Sequence, residues 1–124
     1  MAGERVLVVE DNDKSMKLFR DVLEVSGYST LEATTGEEAV ELALTHEPAL
    51  VLMDVQLPGI DGVEALERLR QNWRTASIPV LAVTAQAMSG DRDRFVEAGF
   101  DGYLAKPVDV DELIRVVREH CDRG

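Results

Sequence analysis

The chain has 124 residues, 45% of them hydrophobic, with 24 acidic against 13 basic side chains and a formal net charge of −11. That is the length of one ordinary domain around a single core, and so acidic a surface repels nucleic acid and anionic membranes, which argues against direct binding to either. The one cysteine, Cys121, excludes an intrachain disulfide and a Cys-rich metal site.

Strand-like and helix-like segments alternate from end to end. A strand at 5–9 (Arg5-Val6-Leu7-Val8-Val9) leads into a helix at 13–26. A second strand at 28–33 mixes polar with apolar residues and reads as a sheet edge. It is followed by a helix at 36–47, opened by the capping-box pattern Thr35-Gly36-Glu37-Glu38. The third and fourth strands, 50–53 and 79–84, are nearly unbroken aliphatic runs, as strands covered on both faces are. Helices are expected at 62–73 and 87–98. A short fifth strand at 102–105 and a helix at 109–121 complete the pattern. Gly27 and Gly99 stand where helices should stop, and Pro48 ends another. Repeated βα units predict a doubly wound, flavodoxin-like α/β fold with a parallel sheet and helices on both faces. Edges at strands two and five, with one, three and four inside, match the order 2-1-3-4-5. One domain over 1–124 with no effector attached is expected. The N-terminus lacks a signal-peptide pattern, the apolar runs fall far short of a membrane span, and low cysteine content suits a reducing, cytoplasmic setting.

Four of the strands end in residues suited to a phosphate site. The first runs into Glu10-Asp11, the third into Asp54, the fourth into Thr84 and the fifth into Lys106-Pro107. Parallel strands bring these ends to one edge, where open α/β sheets bind ligands at a topological switch point. Asp54 is the candidate nucleophile, since an aspartate can form an acyl phosphate; taken alone it is equally a loop-starting residue. Glu10 and Asp11 suit a divalent cation, for Mg²⁺ takes one or two carboxylates plus phosphate oxygens. The same cluster, with Asn12 and Asp13, also suits a helix N-terminus. Thr84 offers a hydroxyl and Ala85 a backbone N–H to a phosphoryl oxygen, although a β-branched strand end is common. Lys106 can pair with Asp54 or snorkel from the edge, and Pro107 is a candidate cis proline.

In order and spacing these residues resemble the receiver domain of bacterial two-component response regulators, from Arg5 to about Cys121. The resemblance rests on Val9-Glu10-Asp11-Asn12, on Asp54 with Leu57-Pro58-Gly59-Ile60-Asp61-Gly62, on Thr84-Ala85 and on Tyr103-Leu104-Ala105-Lys106-Pro107. It implies a CheY-like fold and transfer of a phosphoryl group to Asp54 from a phosphohistidine of a sensor kinase or histidine phosphotransfer protein. Mg²⁺, with Mn²⁺ able to substitute, would be held by Asp11, Asp54 and the Gln56 carbonyl, with Glu10 acting through water. Thr84, Ala85 and Lys106 would hold the phosphoryl oxygens, and Thr84 with Tyr103 would form the switch, signalling to a downstream protein through the face of the fourth helix, fifth strand and fifth helix. Kinase docking would involve Lys14, Ser15, Leu18 and Pro107. The chain would be a monomer or a weak, phosphorylation-dependent dimer, and no turnover enzyme.

The stretches Met16–Asp21 and Ala82–Asp91 are similar to DivK-type single-domain regulators, and such stretches also occur in receivers of hybrid kinases. In the first helix Met16, Phe19, Val22 and Leu23 lie together, and Leu18 and Val25 widen the apolar arc to roughly 180°, beyond the ~100° that faces a core. The arc fits a well-buried helix or a docking patch. The acidic pair is Glu-Asp where Asp-Asp is the other form, and Gln56 and Gln86 are neutral amides flanking the path of attacking water. Three rivals remain. An aspartate-nucleophile phosphatase would place a general acid where Gln56 stands. A flavin domain would need a phosphate-cradling loop where Glu10-Asp11-Asn12-Asp13 stands. A phosphorylation-independent scaffold would have no need of Asp54, Thr84 and Lys106 together.

Overall fold

The computed structural model describes residues 4–85 and 91–121, with backbone alone at 91–93. Five strands, β1 (Arg5–Val9), β2 (Ser29–Ala33), β3 (Leu50–Asp54), β4 (Val80–Thr84) and β5 (Gly102–Ala105), form one parallel sheet in the order β2-β1-β3-β4-β5. They alternate with α1 (Asp13–Val25), α2 (Gly36–His46), α3 (Gly62–Arg70), α4 (Asp91–Ala98) and α5 (Val110–Cys121). The edges at β2 and β5 are those that the polar and short strand patterns predict. The stretch 86–90, which includes Gln86 and the expected start of the fourth helix, lies outside the described residues.

Alternation along the strands divides the core in two. Leu7, Val9, Val51, Met53, Val80 and Ala82 face one side, packed with Leu66, Leu69, Phe95 and the small residues Ala39, Ala43 and Ala65. Val6, Val8, Leu50, Leu52, Leu81 and Val83 face the other, against Met16, Phe19 and Leu23 of α1 and Leu113, Val117 and Cys121 of α5. Burying each such leucine contributes about 1.5–3 kcal/mol.

Side-chain caps start the helices where the sequence places them. Asn12 accepts from the Ser15 N–H, Thr35 from Glu38, Asp61 from Glu64 and Asp109 from Glu112, all at 2.9 to 3.1 Å. At α2 Glu38 Oε1 reaches back one residue past the Thr35 cap and accepts the Thr34 N–H at 2.8 Å. Of the wide apolar arc of α1, Met16, Phe19 and Leu23 are buried, while Leu18 is 40% and Val25 89% exposed. The helix is therefore not buried all round.

The third helix ends at Arg70 and not at 73. The buried Thr75 hydroxyl donates to the Leu69 carbonyl at 2.6 Å, and Asn72 Oδ1 accepts the Arg74 N–H at 2.9 Å. Local side chains thus satisfy the backbone in place of another helical turn.

Candidate functional site

Parallel pairing aligns the strand ends. β1 pairs β3 through Val9↔Met53, β3 pairs β4 through Asp54↔Val83, and β4 pairs β5 through Thr84↔Ala105. Glu10, Asp54, Thr84 and Lys106 therefore reach the same edge, at the crevice where the chain order reverses about β1 and β3. Gly62 lets the start of α3 close on that edge. A Cβ there would lie 2.6 Å from the Asp54 carbonyl oxygen and 2.9 Å from Val55 Cα.

The centre is a lysine shared by two buried acids. Lys106 Nζ lies 2.6 Å from Glu10 Oε1 and 3.1 Å from Asp54 Oδ2. The side chains of Glu10 and Asp54 are 1% and 8% exposed, that of Lys106 22%. The Glu10 contact is the shorter but points poorly for a hydrogen bond, so Oε1 is a buried oxygen held by charge rather than by a directed bond. Glu10 Oε2 accepts the Asn12 N–H at 3.1 Å, and Asp54 Oδ1 accepts the Gln56 N–H at 2.9 Å. Burial raises the pKa of Glu10, helped by nearby Asp54 and opposed by Lys106 and the Asn12 N–H. Burial pulls the Lys106 pKa down, but its two carboxylate partners outweigh this and raise it.

Asp11 is exposed and completes the acidic group. One carboxylate oxygen each from Glu10, Asp11 and Asp54 lie within 4.8 Å of one another. Three carboxylates against one ammonium leave the pocket negative. An all-oxygen donor set, with one buried oxygen lacking a directed hydrogen bond, fits a small hard cation such as Mg²⁺.

Thr84 is buried, Ala85 exposed, and the Thr84 carbonyl accepts the Lys106 N–H at 2.8 Å. Gln56 is exposed at the rim. The Lys106–Pro107 bond is cis. Tyr103 is half-buried beside Phe95, ring centroids 6.1 Å apart. Lys14, Ser15, Leu18 and Pro107 line one 250 Å³ groove together with Phe19, Lys106 and Val108. Two contacts were not anticipated from sequence. Lys106 sits nearer Glu10 than Asp54, and the backbone N–H of Asn12, whose side chain caps α1 as expected, donates to Glu10.

Comparison with known proteins agrees with this geometry. The response regulator receiver domain family matches residues 6–118, and the chain belongs to it. It is 44% identical to the polar-differentiation response regulator DivK of Brucella ovis over 115 residues, 93% of this chain and 94% of the relative. Among solved structures, the receiver domain of the sensor histidine kinase PA1611 from Pseudomonas aeruginosa PAO1, with a magnesium ion coordinated in its active site cleft, superposes with a TM-score of 0.90 at 34% identity. That match covers 98% of this chain and 99% of that one. The receiver domain of the Francisella response regulator 1452 gives 0.90 at 30% identity, covering 98% of each. The chain is a DivK-like, CheY-like receiver domain of the two-component type. No helix among the described residues is long and apolar enough to cross a membrane.

Proposed function

We propose that the chain is a phosphorylation-dependent signalling switch that takes a phosphoryl group on Asp54 from a phosphohistidine of a sensor kinase or phosphotransfer protein. The observation that carries this reading is the ammonium of Lys106 shared between two buried carboxylates, Glu10 and Asp54, beside the exposed Asp11. A carboxylate oxygen of Asp54 attacks phosphorus. The new O–P bond forms as the N–P bond of the donor breaks, and the electron pair stays on the imidazole nitrogen, which takes up a proton. Lys106 follows the transferred charge, passing from the Asp54 carboxylate to a phosphoryl oxygen. The Thr84 hydroxyl and the Ala85 N–H hold a second oxygen.

Asp11, Asp54 and the Gln56 carbonyl would hold Mg²⁺ (or Mn²⁺), with Glu10 acting through water. When bound, the cation supplies neutralisation of the negative charge gathered between carboxylates and phosphate. The magnesium ion of the PA1611 receiver supports this reading. Glu10 also steadies Lys106, so the aim of the ammonium depends on it.

Phosphorylation draws Thr84 inward and Tyr103 follows, altering the face of α4, β5 and α5 toward a downstream protein. The groove of Lys14, Ser15, Leu18 and Pro107 opens beside the site and suits the helical donor. In this reading the domain acts through protein–protein contact in the cytoplasm, as a monomer or weak phosphorylation-dependent dimer. The chain turns over no outside substrate.

The test is intact-protein mass after incubation with acetyl phosphate and Mg²⁺, beside Asp54→Asn. One Mg²⁺-dependent phosphoryl adduct, absent from the variant, is expected. No adduct under conditions that modify a control receiver contradicts the reading and favours a phosphorylation-independent scaffold.

A further inference from the structure

One guanidinium ties together three segments at the sheet edge opposite the carboxylates. Arg70 closes α3, and its Nη1 donates to the carbonyls of Ala76 at 3.0 Å and Ile78 at 2.7 Å. Nη2 donates to the Gly99 carbonyl at 3.2 Å and to Asp101 Oδ2 at 3.0 Å. The same Asp101 oxygen accepts the Val80 N–H at 2.8 Å, and the Asp101 N–H donates to the Val80 carbonyl at 2.8 Å. The loop before β4, the turn before β5 and the first residue of β4 are thereby fastened to one side chain. The two side chains are 27% and 43% exposed, so solvent screens the ion pair itself. The strength lies in the planar fork, whose geometry lysine cannot reproduce.

An aromatic cluster adjoins this latch. The Phe95 and Phe100 rings meet edge to face at 5.9 Å, and Phe95 lies 6.1 Å from Tyr103. The Phe100 N–H donates to the Phe95 carbonyl at 3.1 Å, across a turn that Gly99 makes at φ +110. Tyr103 is two residues beyond Asp101. With Phe95, Val96, Ala105 and Val116 it lines a 510 Å³ groove between α4 and α5. β5 is four residues long and pairs with β4 alone, so little else holds its leading end.

We propose that Arg70 and Asp101 are positioning residues for the switch, a proposal that rests on the phosphorylation reading above. They pin the leading ends of β4 and β5 to each other. A shift of Thr84, at the trailing end of β4, then reaches Tyr103 and the groove as a rotation. Without the pin, the leading end of β5 is held to β4 by main-chain pairing and loosens, and the shift is dissipated there rather than passed to Tyr103. An element transmits a local change when it has two discrete arrangements that the site biases. The latch keeps Tyr103 to two.

The experiment uses the full chain, labelled with fluorotyrosine, with Mg²⁺ and beryllofluoride as the phosphoryl mimic. Arg70→Lys keeps the charge and loses the fork. Asp101→Asn keeps an acceptor for the Val80 N–H and loses the ion pair. Buried Tyr28 serves as the internal reference. The expected result is a Tyr103 resonance that shifts in the parent protein and shifts at most half as far in Arg70→Lys, while acetyl phosphate modifies Asp54 in both within twofold. A merely structural role would lower the unfolding midpoint and leave the Tyr103 shift intact, which overturns the proposal. Should Arg70→Lys fail to fold, Asp101→Asn decides by the same criterion. No adduct on the parent protein sinks the phosphorylation reading, and the latch proposal with it. Adducts on every variant with equal Tyr103 shifts sink the latch alone.

Discussion

The two edges of the sheet use the same kinds of charge to opposite ends. At the carboxyl edge, Lys106 is shared by Glu10 and Asp54, Asp11 adds a further negative charge, and a buried oxygen of Glu10 lacks a directed hydrogen bond. At the opposite edge, Arg70 reaches four acceptors and Asp101 answers it while bonding β4. One edge is left short of positive charge and the other is satisfied. Sites that bind and react are where local rules are broken, and the structure around them supplies the stability that tolerates the breach.

The largest effect comes from removing the nucleophile. Asp54→Asn should take up no phosphoryl group from acetyl phosphate by intact mass, while keeping its fold by circular dichroism. Next is the shared lysine. Lys106→Ala should slow phosphoryl uptake by about 10²-fold or more, the usual cost of losing one charge-stabilising donor. It also leaves Glu10 and Asp54 facing each other, and should cost about 2 kcal/mol in urea unfolding. That is less than the ~3–5 kcal/mol of a fully buried pair, because the lysine is partly exposed and Glu10 can take up a proton instead.

Mg²⁺ should erase the contrast between the edges. At a hundred times its dissociation constant it should stabilise the fold by about 2.7 kcal/mol, and Asp11→Asn should abolish most of that gain. The effect depends on pH. Burial raises the Glu10 pKa, so between the ordinary glutamate value and the raised one the folded state binds more protons than the unfolded chain. Stability without metal should therefore fall as pH rises through that window, and Mg²⁺ should flatten the slope by competing with the proton. Lys106 acts at the other extreme. Its contribution is full below the ordinary lysine value and is lost as pH climbs past its raised folded value.

At the satisfied edge effects should be smaller. Arg70→Lys should cost about 1–2 kcal/mol in denaturant unfolding, from acceptors left without their fork. Trp73, three residues beyond Arg70 in sequence and 82% exposed, should matter least. Trp73→Ala should stay within ~0.5 kcal/mol. A larger loss there would mean that the loop after α3 is held by more than Arg70, Asn72 and Thr75.

Much of this was legible in residue order. The aliphatic runs of β1, β3 and β4 announce buried parallel strands, and polar Ser29–Ala33 announces an edge. Once the strands are parallel, Glu10, Asp54, Thr84 and Lys106 must share an end. What sequence does not carry is distance. The extra methylene of Glu10, relative to aspartate, helps bring its carboxylate to 2.6 Å from Lys106, a contact no spacing rule specifies. The Arg70 latch is hidden for a similar reason. Three of its four acceptors are main-chain carbonyls and the fourth is an aspartate 31 residues away. The early end of α3 follows from side chains of Asn72 and Thr75 that compete with the helix, which apolar periodicity does not register.

The central claim is that Asp54 is the atom-level acceptor, and the most direct measurement locates the modification. The protein is phosphorylated with acetyl phosphate and Mg²⁺, reduced with borohydride to convert an acyl phosphate into homoserine, digested and mapped by mass. Homoserine at position 54 alone is the predicted result. Homoserine at position 11, 5-hydroxynorvaline (the reduced glutamyl product) at position 10, or no reduced residue at all beside a control receiver that reacts, would contradict it.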